Sequence, residues 1–302
     1  MAEQNRPLGG QWTLLLHGLK QWLTVLGYSE LGIPSIVQAV QQFLIWLQAN
    51  DIHALGQLQD TYANAYMQQE QQRLGHRSGK PLSTGHMNKQ IQALLLFNKY
   101  LRETGKYPTG FNLKRLEEQR PLPVYLTKAE IQQMYEVTAD NVLGMRDRAM
   151  LAVYYGCGLR LNEGACLDLK DILRDRQLLH VRKGKHYKER LVPMNNKTLQ
   201  MITMYIDIGR PQLLQQHVTE RLFIDANKGR PMQRQSLYIR IKALAKKAGI
   251  KKKVGTHTLR HSIATHLLQS GMRLEQIQQF LGHSTMDSTQ IYTHLQHQNI
   301  VE

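Results

Sequence analysis

The run His257-Thr-Leu-Arg260-His261-Ser-Ile-Ala-Thr-His266-Leu-Leu268 places His257, Arg260 and His261 at the opening of an otherwise apolar stretch. Its periodicity predicts a helix over 258–269. The exposed N–H groups and the dipole at such an opening favour a bound anion. His257 and Arg260 are three apart and share a helix face. Downstream, a helix over 273–281 leads into Leu281-Gly-His283, and another over 288–295 carries Tyr292. Upstream, an apolar helix over 146–155 runs into Gly156-Cys-Gly158-Leu-Arg160-Leu-Asn-Glu163. Between these, the short runs 178–181 and 189–192 flank the charged turn Arg182-Lys183-Gly-Lys185-His-Tyr-Lys188, the pattern of a β-hairpin.

These clusters combine into one chemistry. Two arginines are suited to clamping the non-bridging oxygens of a single phosphate through their planar donors. Two histidines add hydrogen bonds, and a lysine on a hairpin can reach a leaving oxygen. A tyrosine hydroxyl is a usable nucleophile once its proton is drawn off. Its ordinary pKa is about 10, so flanking cations must help it attack.

The rest of the chain fits a partner that carries phosphates. Its 302 residues are enough for two domains. Apolar residues make up 42% and charged residues 21%, so wholesale disorder is not expected. Residues 1–120 hold 12 basic and 8 acidic side chains, and residues 121–302 hold 27 and 15. The second half therefore supplies most of the net charge of +16, a surface that favours a polyanion. No run approaches the roughly 18 apolar residues of a membrane helix, and residues 1–11 lack a signal-peptide core. Only Cys157 and Cys166 occur, which excludes a disulfide framework and points to a reduced, cytoplasmic protein.

Before residue 105 the pattern is helical. Trp12, Leu15, Leu16, Leu19, Trp22, Leu23 and Leu26 form one stripe. Ser35 is expected to cap a helix over 36–49, and further helices are expected over 56–73 and 83–103. Trp12, Trp22 and Trp46 read as core. Residues 105–123, with Gly105, Pro108, Gly110, Pro121 and Pro123, read as an extended linker. Beyond it, Thr127 and Glu130 form a capping box, and helices are expected over 196–208 and 233–248. The expected fold is mainly α with a small antiparallel β-sheet in the C-terminal domain. Its parts would be an N-terminal helical domain over 1–104, a linker over 105–123 and a C-terminal domain over 124–302.

The motifs around Arg160, Lys188-Glu-Arg-Leu-Val-Pro193, His257–Leu268, Leu281-Gly-His283 and Tyr292 resemble, in order and spacing, the signature of tyrosine recombinases, the phage-integrase and Xer group. The resemblance is close over 122–295, while residues 11–104 match only in character. It implies a two-domain tyrosine-recombinase clamp: a core-site DNA-binding domain and a catalytic domain closed round a duplex. It further implies that Arg160 and Arg260 hold the scissile phosphate, and that His257 and His283 hydrogen-bond it or shuttle protons. Lys183 would protonate the departing 5′ hydroxyl, and Tyr292 would become a 3′-phosphotyrosine. Glu163 would prop the Arg160 region. The hairpin turn is one residue longer than the common form of the family, which leaves Lys185 as the alternative lysine. The implied partners are double-stranded DNA with a specific recombination site, further copies in a tetramer on DNA, and a second recombinase or accessory protein. Neither a membrane, a cofactor nor a metal is implied. Integration, excision, inversion and dimer resolution all remain open.

Other readings meet specific obstacles. His257 and His261 have the spacing of zinc ligands, but Thr258 stands where a metalloprotease needs Glu. A non-catalytic DNA-binding regulator on the same fold needs no nucleophile. A relaxing topoisomerase of related chemistry remains as a third reading. Lys251, Lys252 and Lys253 read equally well as phosphate contacts or as a solvated run.

Overall fold

The computed structural model describes residues 8–30, 32–75, 79–107, 110–117, 123–182 and 189–282. The chain divides into two compact units, Met1–Arg120 and Pro121–Glu302.

The first unit is built from α1 (Gly10–Val25), α2 (Ile33–Ala49), α3 (Asp60–Gln72) and α4 (Thr84–Glu103). The apolar stripes meet as the periodicity predicts. Trp12, Leu19 and Leu23 of α1, Phe43, Leu44 and Leu47 of α2, and Leu94, Phe97 and Leu101 of α4 are wholly buried together. Trp22 and Trp46 pack against that core at its edge. α2 begins earlier than Ser35, with Pro34 inside its first turn. The early start is permitted because proline's missing N–H would have no helical partner there anyway. The expected helix over 56–73 splits into a 3₁₀ turn, Leu55–Gln57, and α3. Residues 110–117 are held along α4 by two asparagines. Asn98 donates to the Phe111 carbonyl at 2.6 Å and accepts from its N–H at 3.1 Å. Asn88 does the same for Leu116, at 2.9 Å each way. Phe111 and Leu113 are buried in the first unit's core as a result.

The second unit is mainly helical around one large core. The predicted Thr127–Glu130 box opens α5 (Lys128–Glu136), with bonds of 2.7 and 3.1 Å. α6 (Val142–Leu151) starts four residues earlier than expected, because Asn141 caps Leu143 and Gly144 at 3.0 Å each. It continues into a π turn, Ala152–Gly156, then α7 (Leu161–Ala165). The sheet has three antiparallel strands in the order β1 (Ile172–Leu173), β2 (Leu178–Val181), β3 (Arg190–Pro193). β1 is too short to show an alternation in sequence. The helix expected over 196–208 ends at Met204 as α8 (Asn196–Met204) and passes through a π turn, Tyr205–Gly209, into α9 (Arg210–Leu214). α10 (Arg234–Lys247), α11 (Thr256–Gln269) and α12 (Leu274–Leu281) follow. α11 packs on the π turn after α6, and α12 packs on α11 and β3. These contacts bring the Arg160 loop, β3 and the ends of α11 and α12 to one place.

Candidate active site

Glu163 lies at the centre of this meeting point, 6% exposed. Its position at the third residue of α7 turns the carboxylate back to the Arg160 N–H, Oε2 accepting at 2.8 Å. Oε1 accepts from Arg160 Nη1 at 2.7 Å. Arg190 reaches in from β3 and binds both oxygens, Nη1 to Oε1 at 3.1 Å and Nη2 to Oε2 at 2.9 Å. Arg260 Nη1 stands 3.9 Å from Oε2. One buried carboxylate is thus surrounded by three guanidinium groups. Burial alone would raise its pKa. The hydrogen bond and charge of Arg190 and the two bonds from Arg160 overcome this and hold it at about 2.

Backbone carbonyls orient the two predicted phosphate ligands. Arg260, 4% exposed, donates to the carbonyls of Gly158 and Leu281, at 2.7 Å each. Arg160 donates to the Gly282 carbonyl at 3.1 Å. Both glycines are in the left-handed region, with φ of 63° and 66°. A Cβ on Gly158 would lie 2.8 Å from Leu281 Cδ2, and one on Gly282 would lie 2.8 Å from Arg190 Cδ. The glycines in Gly156-Cys-Gly158 and Leu281-Gly282 therefore permit turns whose carbonyls aim the arginines.

α11 begins at Thr256, two residues earlier than its periodicity suggested, so His257 lies in its first turn. Loss of water around the ring, then the charges of Arg260 and Arg160, hold its pKa below the ordinary histidine value. His261 is pushed to about 4 by burial, by His257 and by Arg260, and is neutral at neutral pH. His266 is buried on the far face, its Nδ1 2.9 Å from the Tyr155 hydroxyl, and has a packing role.

The structure thus brings Arg160, Glu163, His257 and Arg260 together. Lys183, Lys185, His283 and Tyr292 lie outside the described residues. Sequence reading passed over Arg190. On β3, exposed Leu191 and buried Val192 set the alternation that turns Arg190 inward, but two adjacent apolar residues do not show in sequence which of them faces the core. Lys252 is not a free phosphate contact, since its Nζ donates to the Tyr125 carbonyl at 3.1 Å and to Glu130 at 2.7 Å. At the end of β2, Arg182 is held by Asp168 at 2.5 Å and Asp171 at 2.8 Å, which anchors the strand just before Lys183. Among the described residues no cluster of His, Cys, Asp or Glu could hold a metal ion.

The sequence profile of the phage integrase family matches residues 124–299. The tyrosine recombinase XerD of Staphylococcus aureus is 38% identical over 229 residues, covering 74% of this chain and 77% of its own. The chain belongs to the phage integrase family. It is an enzyme of the tyrosine-type site-specific recombinases. XerD of Staphylococcus saprophyticus is 37% identical over the same extent. Among solved structures, XerA recombinase is 27% identical with a TM-score of 0.52, and 94% of each chain is covered. A post-cleavage complex of XerH recombinase with a palindromic difH substrate is 21% identical with a TM-score of 0.73, covering 97% of this chain and 83% of that one. These agree with the mainly helical fold and its small antiparallel sheet. No described helix is long and apolar enough to cross a membrane.

Proposed function

We propose that this recombinase cuts and rejoins double-stranded DNA at a specific site through a covalent 3′-phosphotyrosine intermediate. The observation that carries this is the convergence of Arg160, Arg260 and His257 around Glu163. Two guanidinium groups lie 2.7 and 3.9 Å from one buried carboxylate and are oriented by fixed backbone carbonyls. Donors held this way need not reorganise as charge builds on a pentacoordinate phosphorus.

In the proposed step the Tyr292 oxygen bonds to phosphorus while the bond from phosphorus to the 5′ oxygen breaks. The phenol proton passes to His257 or His283, and Lys183, or Lys185 in its place, protonates the departing 5′ oxygen. Phosphodiester energy is conserved in the tyrosyl linkage, so rejoining needs no ATP. A 5′ hydroxyl from a partner duplex reverses the step and produces a Holliday junction within a tetramer on two sites.

The first unit would read the core site. A groove there of about 1210 Å³ presents Gln38 and Gln42 of α2 with Lys89 of α4, side chains able to pair with base edges.

Mapping the cleaved phosphate in DNA flanking the gene supplies the substrate for the test. A nicked suicide version should trap the wild-type protein as a covalent adduct. Tyr292→Phe should bind the same DNA without forming one. Adduct formation by that variant would remove Tyr292 from its role.

A further inference from the structure

Arg190 has no part in the step above, yet it makes more bonds to Glu163 than any other side chain described. We propose that Arg190 is a positioning residue for Arg160, keeping that guanidinium directed at the scissile phosphate. The proposal rests on the recombinase reading of the site.

The geometry argues this in two ways. First, Arg190 and Arg160 share the same carboxylate. Arg190 takes Oε1 at 3.1 Å and Oε2 at 2.9 Å, a two-point grip that fixes how the carboxylate is rotated. Arg160 then meets Oε1 with one Nη at 2.7 Å and Oε2 only through its backbone N–H at 2.8 Å. If Arg190 were lost, both oxygens would lack its donors, and Arg160, bonded to Oε1 at 2.7 Å, would be the counter-charge nearest the carboxylate, ahead of Arg260 at 3.9 Å. Its guanidinium would turn in to pair with them, and those donors would no longer face a phosphate.

Second, Arg190 holds the turn that anchors the other side of Arg160. Its Nε donates to the Phe280 carbonyl at 3.1 Å, two residues before the Gly282 carbonyl that accepts from Arg160. The close approach at Gly282 shows how tightly that turn lies on the Arg190 side chain. A guanidinium with only 10% of its side chain exposed carries a desolvation penalty. All three of its observed bonds are spent on orienting this pair.

The test uses the full chain and two suicide duplexes carrying the mapped site. One has the normal scissile phosphodiester. The other has a methylphosphonate there, which lacks one anionic oxygen and so needs one guanidinium fewer. Wild-type adduct formation on the normal duplex checks the recombinase reading by itself. Arg190→Gln should bind both duplexes like wild type and lose about 10- to 100-fold in adduct rate on the phosphodiester. On the methylphosphonate the loss should shrink to about 3-fold or less, because less depends on where Arg160 points. Equal losses on both duplexes, or a phosphodiester rate equal to wild type, would overturn the proposal. Arg190→Lys covers the case in which the Gln variant does not fold. A single ammonium cannot span both oxygens and the Phe280 carbonyl, so the same inequality between substrates is expected, and equal ratios would again overturn it.

Discussion

Glu163→Gln tests the centre of the site most directly. Each carboxylate oxygen accepts two hydrogen bonds: Oε1 from Arg160 and Arg190 side chains, Oε2 from the Arg160 backbone and Arg190. A glutamine keeps one oxygen and turns an NH₂ towards two donors, so two bonds are lost in either orientation. At about 1.5–3 kcal/mol for each bond to a charged group, the loss is about 3–6 kcal/mol. The carboxyl's pKa gives a second route to the same quantity. Its displacement from 4.5 to about 2 corresponds to about 3 kcal/mol of preference for the charged form. Both fall near the cost of breaking a buried ion pair by removing one partner, about 3–5 kcal/mol.

The assay can separate the two units. All three tryptophans, Trp12, Trp22 and Trp46, lie in the first unit, so their fluorescence reports on that unit. Far-UV circular dichroism reports on both. In urea, Glu163→Gln should lower the second unit's midpoint by about 1–3 M, for an m-value near 2–3 kcal/mol/M, and leave the tryptophan transition in place. The folded pKa lies below the unfolded one, so this stabilisation is present above about pH 4.5 and is lost as pH falls towards 2. The gap between wild type and variant should therefore be constant from neutral pH to about 6 and narrow below about 5. A second-unit midpoint equal to wild type at pH 7 would refute the account of Glu163 as the electrostatic centre.

Arg160→Ala should slow adduct formation on a suicide duplex by about 10²–10³-fold, and a near-normal rate would count against its role at the phosphate. Gly158→Ala combines a left-handed backbone with a Cβ 2.8 Å from Leu281. It should cost about 2–4 kcal/mol in second-unit stability by denaturation. It should also lower the cleavage rate, because the displaced carbonyl holds Arg260; an unchanged rate would mean that Arg260 is oriented otherwise. DNA affinity measured against salt should fall steeply, with a log–log slope of about −0.9 for each phosphate neutralised. A flat dependence would exclude the basic second half as the contact surface.

Periodicity and local chemistry were sufficient for much of this protein. The stripe of α1, the Thr127–Glu130 box and the antiparallel pairing of the two runs that flank the charged turn are short-range patterns, and each formed where its residues indicated. The spaced motifs around Arg160, Arg260 and Tyr292 likewise marked the family before any fold was known. The roles of Gly158, Gly282 and Arg190 emerged only in three dimensions. The Arg260 bond to Gly158 joins positions 102 residues apart, and the Arg160 bond to Gly282 joins positions 122 apart. No local pattern records such a pairing, because it exists only once α11 has packed on the π turn after α6 and α12 has packed on α11 and β3. A charge on an inward strand position looks like a misfit until the carboxylate opposite it is in place. The motifs that mark the family could be read along the chain; what holds Arg160, Glu163 and Arg260 in register was decided by the packing of the core.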